Sequence, residues 1–184
     1  RITHLSLLLS VFITLGGCSE LFDEPVDPTL DWSAQRLYAE GKASLDAADY
    51  TKAIEFYQKL ETRYPFGALS TQAQLETAYA FYRKNEPASS VAAADRFIKL
   101  HPQHPHVDYA HYIKGLAQYN QGRGLLEQLV PMDPSQRDPG STLESFEAFG
   151  ELVRRYPNSK YAKDSAQRML FLRNNLSQYE IHVA

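Results

Sequence analysis

The chain has 184 residues, room for one domain of ordinary size rather than two. Apolar residues make up 43% and charged residues 22%, as in a water-soluble globular fold, and a formal charge of −3 gives no electrostatic reason to expect nucleic acid as a partner. The 19 basic and 22 acidic residues form no long like-charge blocks, and the single cysteine excludes an intramolecular disulfide and a multi-cysteine zinc site.

That cysteine closes the first segment. Leu5–Gly16 (LSLLLSVFITLG) is an uncharged apolar run behind Arg1 and His4. At about 1.5 Å per residue it reaches about 18 Å, short of the ~30 Å hydrocarbon core of a bilayer, so it fits a signal-peptide h-region better than a membrane span. It ends in Leu15-Gly16-Gly17-Cys18, which resembles a bacterial lipobox, with small residues that let a signal peptidase admit the chain extended. Residues 1–17 are therefore expected to be a lipoprotein signal peptide, and Cys18 the residue whose thiolate takes a diacylglycerol. The other reading is an ordinary signal peptide followed by an incidental cysteine. Ser19, rather than an aspartate, after the cysteine points to the periplasmic face of the outer membrane. The chain opens without methionine, from which a clipped or misplaced start is expected.

Residues 18–30 are expected to be anchor and linker. Ser19–Thr29 (SELFDEPVDPT) holds two prolines and four acidic residues without periodicity, as in an extended tether. Asp31 is the expected N-cap of the first helix, whose stripe is Leu37, Gly41 and Leu45. Asp49 then caps a helix with Tyr50, Ala53, Ile54, Tyr57 and Leu60 at helical spacing, ending at Arg63-Tyr64-Pro65 because proline disfavours helical geometry in the residue before it. Thr71-x-x-Gln74 reads as a capping box ahead of Leu75, Ala78, Tyr79 and Tyr82. Asn85-Glu86-Pro87 makes a turn, with Pro87 suited to a first helical position before Val91, Ala94, Phe97 and Ile98. A third pair starts near His106 with Tyr109, Tyr112, Ile113 and Leu116; its second helix is delayed by a Gly/Pro-rich insertion at 122–140. Ser141-x-x-Glu144 then caps a helix carrying Phe146, Phe149, Leu152, Val153 and Tyr156. A fourth pair opens at Ser159 with Ala162, Ala166, Met169 and Leu172, its second helix barely begun at Ala184.

No segment sustains period-2 alternation, so the fold class is all-α. Pro65 and Pro102 are 37 residues apart, and Pro102 and Pro157 are 55 apart, the excess matching the insertion. Two-helix units of this length, with Gly41, Ala53, Tyr57 and Pro65 in the first, resemble the tetratricopeptide repeat. The match weakens in the later units. Residues 31–184 are thus expected to form a tetratricopeptide-repeat superhelix, an α-solenoid of antiparallel helix pairs that is C-terminally incomplete: three repeats and the start of a fourth.

Longer segments carry a family resemblance. Arg63-Tyr64-Pro65-Phe66-Gly67, Ala94–Leu100 (ADRFIKL), His104-Pro105-x-x-Asp108-Tyr109, Arg137-Asp138-Pro139 and Leu152–Ser159 (LVRRYPNS), together with the lipobox, resemble the BamD (ComL/YfiO) family of outer-membrane assembly lipoproteins. Such proteins look like five-repeat proteins, so this chain is expected to stop in its fourth repeat. The resemblance implies a non-enzymatic component of the β-barrel assembly (BAM) machinery, lipid-anchored at the periplasmic face of the outer membrane. Its implied partners are a BamA-like barrel subunit, other BAM lipoproteins and the C-terminal segments of β-barrel precursors. Repeat superhelices expose grooves that accept extended peptides, and barrel strands end in alternating aromatic and apolar residues that suit tyrosines. Tyr38, Tyr64, Phe66, Tyr79 and Tyr82 are the peptide-binding candidates. Packing between helices is the alternative for each and is favoured for Tyr79 and Tyr82; Tyr64 and Phe66, at a helix exit, are expected to be exposed. The alternative function is a periplasmic repeat lipoprotein serving another envelope process, such as cell-wall or secretin assembly.

Other chemistry is sparse. His101, His104, His106 and His111 cluster around a proline-rich helix boundary without cysteine or an ordered carboxylate set, so a structural turn is expected rather than a metal site. Gly122-Arg123-Gly124 lacks the further glycines and preceding strand of a nucleotide loop. No catalytic constellation, metal or cofactor is expected beyond the lipid on Cys18.

Overall fold

The computed structural model describes residues 27–121 and 139–183. The expected signal peptide, Cys18, the linker up to residue 26 and all but the last two residues of the 122–140 insertion lie outside the described residues. Asp27–Trp32 is a short turn rather than extended chain: the Asp27 carboxylate accepts from the Thr29 amide at 3.0 Å and hydroxyl at 2.8 Å, and Leu30 N donates to Asp27 O.

From Ser33 onward the described elements are seven helices: α1 (Ala34–Asp46), α2 (Tyr50–Arg63), α3 (Ala68–Arg83), α4 (Pro87–Leu100), α5 (Val107–Gln121), α6 (Pro139–Arg155) and α7 (Ala162–Val183). Each packs on the next, and α1 with α3 and α3 with α5 also touch. The odd-numbered helices therefore form the closer layer of a two-layer solenoid.

Several helix starts differ from expectation. Ser33, not Asp31, caps α1, its hydroxyl accepting from Arg36 N at 3.3 Å. Asp49 caps α2 through Lys52 N at 3.1 Å, and Pro87 occupies the first turn of α4. The Thr71–Gln74 box is not formed: α3 begins three residues earlier at Ala68, and Thr71 Oγ1 donates to Gly67 O instead. Gly67 stands at φ +114°, a conformation open to glycine, which lets the helix start directly after Pro65-Phe66. The Ser141–Glu144 box is displaced in the same way, because α6 starts at Pro139, where a proline loses no intrahelical bond. A capping box is a local pattern that also fits the first turn of a helix already begun. On α7 the expected Ala166 is exposed and Ser165 is buried in its place. That helix runs unbroken to Val183, so the expected second helix of the fourth pair is not begun.

The repeat is better kept than the sequence match implied. Gly41, Ala78 and Gly115 are 37 residues apart and occupy one register of α1, α3 and α5. Facing them are Ala53, Ser90 and Ser145, with Tyr57, Ala94 and Phe149 one turn further along α2, α4 and α6; all six are buried. Ser90 Oγ donates to Ala78 O and Ser145 Oγ to Gly115 O, both at 2.9 Å. A Cβ on Gly41 would stand 2.5 Å from the Tyr57 ring, and one on Gly115 2.7 Å from the Phe149 ring. Where the second helix has only Ala94, the first has Ala78. Where a large ring stands on the second helix, at Tyr57 and Phe149, the facing position is glycine, so the close-packed interior leaves no room there for a side chain.

Connections follow the same register. Ala48 and Asn85, 37 residues apart, both adopt left-handed backbone at φ 59° and 63°. Asp49 N donates to Ser44 O and Glu86 N to Phe81 O, each at 2.9 Å, closing the helix ends alike.

Candidate functional site

The tyrosines gather mostly on the odd-numbered helices. Tyr38 of α1 lies 5.9 Å, centroid to centroid, from Tyr57 of α2; burial and then the Glu76 carboxylate of α3 push its hydroxyl up. From α3 a ladder runs along the layer: Tyr79 to Tyr109 at 6.4 Å, Tyr109 to Tyr161 at 5.1 Å, Tyr161 to Tyr112 at 4.7 Å, and Tyr112 to Phe149 at 6.0 Å. The two short steps are stacked, within 25° and 19° of parallel. Each such pair adds about 0.5–1.5 kcal/mol beyond burial.

Cations flank the ladder. Arg83 donates to the Tyr79 hydroxyl at 2.6 Å and lies over the rings of Tyr50 at 5.2 Å and Tyr79 at 5.6 Å. Lys160 stands over Tyr161 at 5.0 Å. At the far end the Tyr112 hydroxyl and Arg168 Nε both donate to Asp164 Oδ2 at 2.6 Å, and Ser159 Oγ donates to Asp108 Oδ2 at 2.6 Å. Burial raises the affinity of Asp164 for a proton, but the hydrogen bonds from Tyr112 and Arg168 outweigh it and hold the carboxyl below its usual range. Burial pushes the hydroxyls of Tyr109 and Tyr112 up, so both remain neutral donors. The Tyr79 and Tyr112 hydroxyls thus both have partners within the fold.

The sequence candidates fall into three places. Tyr38 and Tyr79 belong to the inner layer, Tyr79 as the first rung of the ladder. Tyr82 is half-buried against the core cluster that α3, α4 and α5 share, so it packs between helices. Tyr64 and Phe66 lie in the α2–α3 turn and are not rungs of the ladder; they are 38% and 92% exposed. The site reading missed Tyr109, Tyr112 and Tyr161 and the cations beside them. The 37-residue register carried a signal for Tyr112, which is two periods after Tyr38; Tyr161 belongs to a turn, where periodicity is silent.

Two clefts flank these surfaces. One of about 320 Å³ continues the ladder between Tyr119, Phe149, Arg168 and Phe171. The other, about 720 Å³, opens between α2 and α4 over α3, with Gln58, Thr62, Gln74 and Ser89 in its walls and the Glu61–Arg96 ion pair at 3.1 Å across it. The histidines serve the α4–α5 turn: His101 Nε2 is 2.9 Å from Gln74 Oε1, and His104 Nδ1 accepts from His106 N at 3.2 Å. Among the described residues no three His, Cys, Asp or Glu side chains come together as metal ligands would. None of the described helices is long and apolar enough to cross a membrane.

A family model described as YfiO, outer membrane lipoprotein, matches residues 30–184. The chain belongs to the YfiO family. Relatives of this YfiO chain include proteins named outer membrane protein assembly factor BamD. That of Neisseria meningitidis serogroup B is 43% identical over 97% of this chain and 67% of its own length. That of Vibrio cholerae serotype O1 is 37% identical over 98% of this chain and 73% of its own length. The YfiO chain therefore spans about two thirds of such relatives. Their shared name does not favour the alternative of cell-wall or secretin assembly. The fold is also that of the first TPR domain of the human RPAP3 protein, solved by NMR, with a TM-score of 0.57 and 15% identity over 80% of this chain and 94% of that one.

Proposed function

We propose that this YfiO-family chain is a scaffold and peptide receptor of outer-membrane β-barrel assembly, without enzymatic turnover. In this reading Cys18 carries the lipid and residues 18–30 set the reach of the repeats from the periplasmic face of the outer membrane. The partners are a BamA-like barrel subunit and other lipoproteins of the machinery, and the client is the C-terminal segment of a barrel precursor. Support comes from relatives that carry the name of an outer membrane protein assembly factor.

One observation carries the receptor part: Phe66 is 92% exposed beside the half-exposed Tyr64, on a turn with little freedom. Pro65 fixes its own φ, and Gly67 feeds straight into α3, where Thr71 bonds its carbonyl. The ladder tyrosines are already stacked on one another, so they brace the inner layer. Phe66, and the part of Tyr64 that is exposed, present apolar area to a partner and lose little entropy on binding, as aromatic hot spots do. Barrel strands supply the complement, alternating apolar side chains with aromatic girdle residues.

Anisotropy of a fluorescein-labelled peptide from a barrel C-terminal strand tests this. Tyr64→Ala is expected to weaken binding by about tenfold, the loss of a modest aromatic hot spot, with helicity at 222 nm unchanged. Unchanged affinity would remove Tyr64 from the receptor surface.

A further inference from the structure

His111 lies on α5 where that helix meets α6 and is 2% exposed. Neither ring nitrogen has a hydrogen-bond partner among the described residues, and the ring lies 5.6 Å from that of Tyr156 at the exit of α6. A neutral imidazole tolerates such a site at modest cost, whereas an imidazolium brings a second donor and a charge with no acceptor to receive them.

The charged groups around the ring are already committed to each other. Lys114 of α5 pairs with Asp95 of α4 at 2.6 Å, and Arg155 pairs with Glu151, both of α6, at 2.9 Å. Burial is the main cause that lowers the ring's proton affinity; Glu151 and Asp95 act to raise it, and Arg155 and Lys114 to lower it. Packing at this position does not itself require histidine. In the same register the preceding repeats have Gln74 and Leu37, and neither titrates.

We propose that His111 makes the α5–α6 pair a proton-sensitive joint, which loosens when the ring takes up a proton while the histidine-free α1–α2 pair stays closed. The direction follows from the depressed affinity in the packed state. With the joint closed, the ring binds a proton only below the ordinary value of about 6.5, whereas an opened joint binds it there. Closure is therefore fully favoured above about pH 6.5. Each pH unit below that raises the open fraction about tenfold, until the packed state's own titration is reached.

Hydrogen exchange of the full chain at about pH 7.5 and about pH 5.5, corrected for intrinsic exchange rates, tests the joint across the ordinary histidine range. Amides of α5 and α6 are expected to lose protection at the lower pH, by up to about tenfold, relative to those of α1 and α2. His111→Gln, which installs the residue of the preceding repeat, is expected to abolish that difference, and His104→Gln to retain it. An equal loss in all helices, or the same α5–α6 response in His111→Gln, overturns the proposal. Should His111→Gln not fold, histidine ring NMR of the unaltered chain decides: a His111 resonance titrating at or above about pH 6.5 refutes it, and one titrating below supports it.

Discussion

The packing of a ring against glycine at a helix crossing makes a sharp quantitative test. Gly115→Ala places a methyl 2.7–2.9 Å from three carbons of the Phe149 ring, which is 1% exposed and cannot swing into solvent. Overpacking a filled core costs about 1–3 kcal/mol, and a contact this short belongs near the upper end. Alanine recovers about 1 kcal/mol over glycine in a helix, so the net loss is about 2 kcal/mol. Phe149→Ala alone empties the crossing and costs about 3–5 kcal/mol. Together the two substitutions recreate the Ala78–Ala94 pairing of the second repeat, where the added methyl meets no ring. In the Phe149→Ala background Gly115→Ala therefore stabilises by about 1 kcal/mol, a coupling of about 3 kcal/mol between the sites. Urea unfolding followed at 222 nm measures all four corners of this cycle. If Gly115→Ala destabilises equally with Phe149 and with alanine at position 149, the Phe149 ring is not what excludes a side chain at Gly115.

Two further outcomes follow from local geometry. Ala48 is exposed and at φ 59°, so Ala48→Gly is expected to stabilise by about 1 kcal/mol, read as a higher urea midpoint with an unchanged slope. Tyr112→Phe removes a donor from Asp164 and is expected to cost about 1 kcal/mol near neutral pH. Because the folded Asp164 carboxyl titrates below its unfolded value, its contribution is present above about pH 4 and is lost as pH falls through the folded value. Urea midpoints of the two proteins should accordingly converge in acid, and a constant gap would show that Tyr112 does not act through the carboxylate.

Helix existence was legible because amphipathic spacing is a local consequence of burying one stripe. Leu37, Gly41 and Leu45 on α1, and Ala53, Ile54, Tyr57 and Leu60 on α2, are the residues buried. Helix starts were less legible. Thr71 and Ser141 satisfy a capping pattern but sit inside first turns, because Gly67 and Pro139 permit an earlier start. The peptide-binding candidates divided for a similar reason: spacing places Tyr79 and Tyr82 on one helix stripe but says nothing of what stacks on them. The ladder joins Tyr79, Tyr109, Tyr161 and Tyr112 across 82 residues of chain, and pairwise ring contacts at that separation leave no trace in a single sequence.

The sequence by itself determined the all-α class, the 37-residue period and the family resemblance, because periodicity, prolines and ordered motifs are written along the chain. Tertiary structure alone decided that the glycines at the crossings answer to Tyr57 and Phe149, that the ladder tyrosines brace one another while Phe66 stays exposed, and that His111 is enclosed without a partner. Each depends on which side chains distant segments bring into contact, and that is set by packing helices in three dimensions.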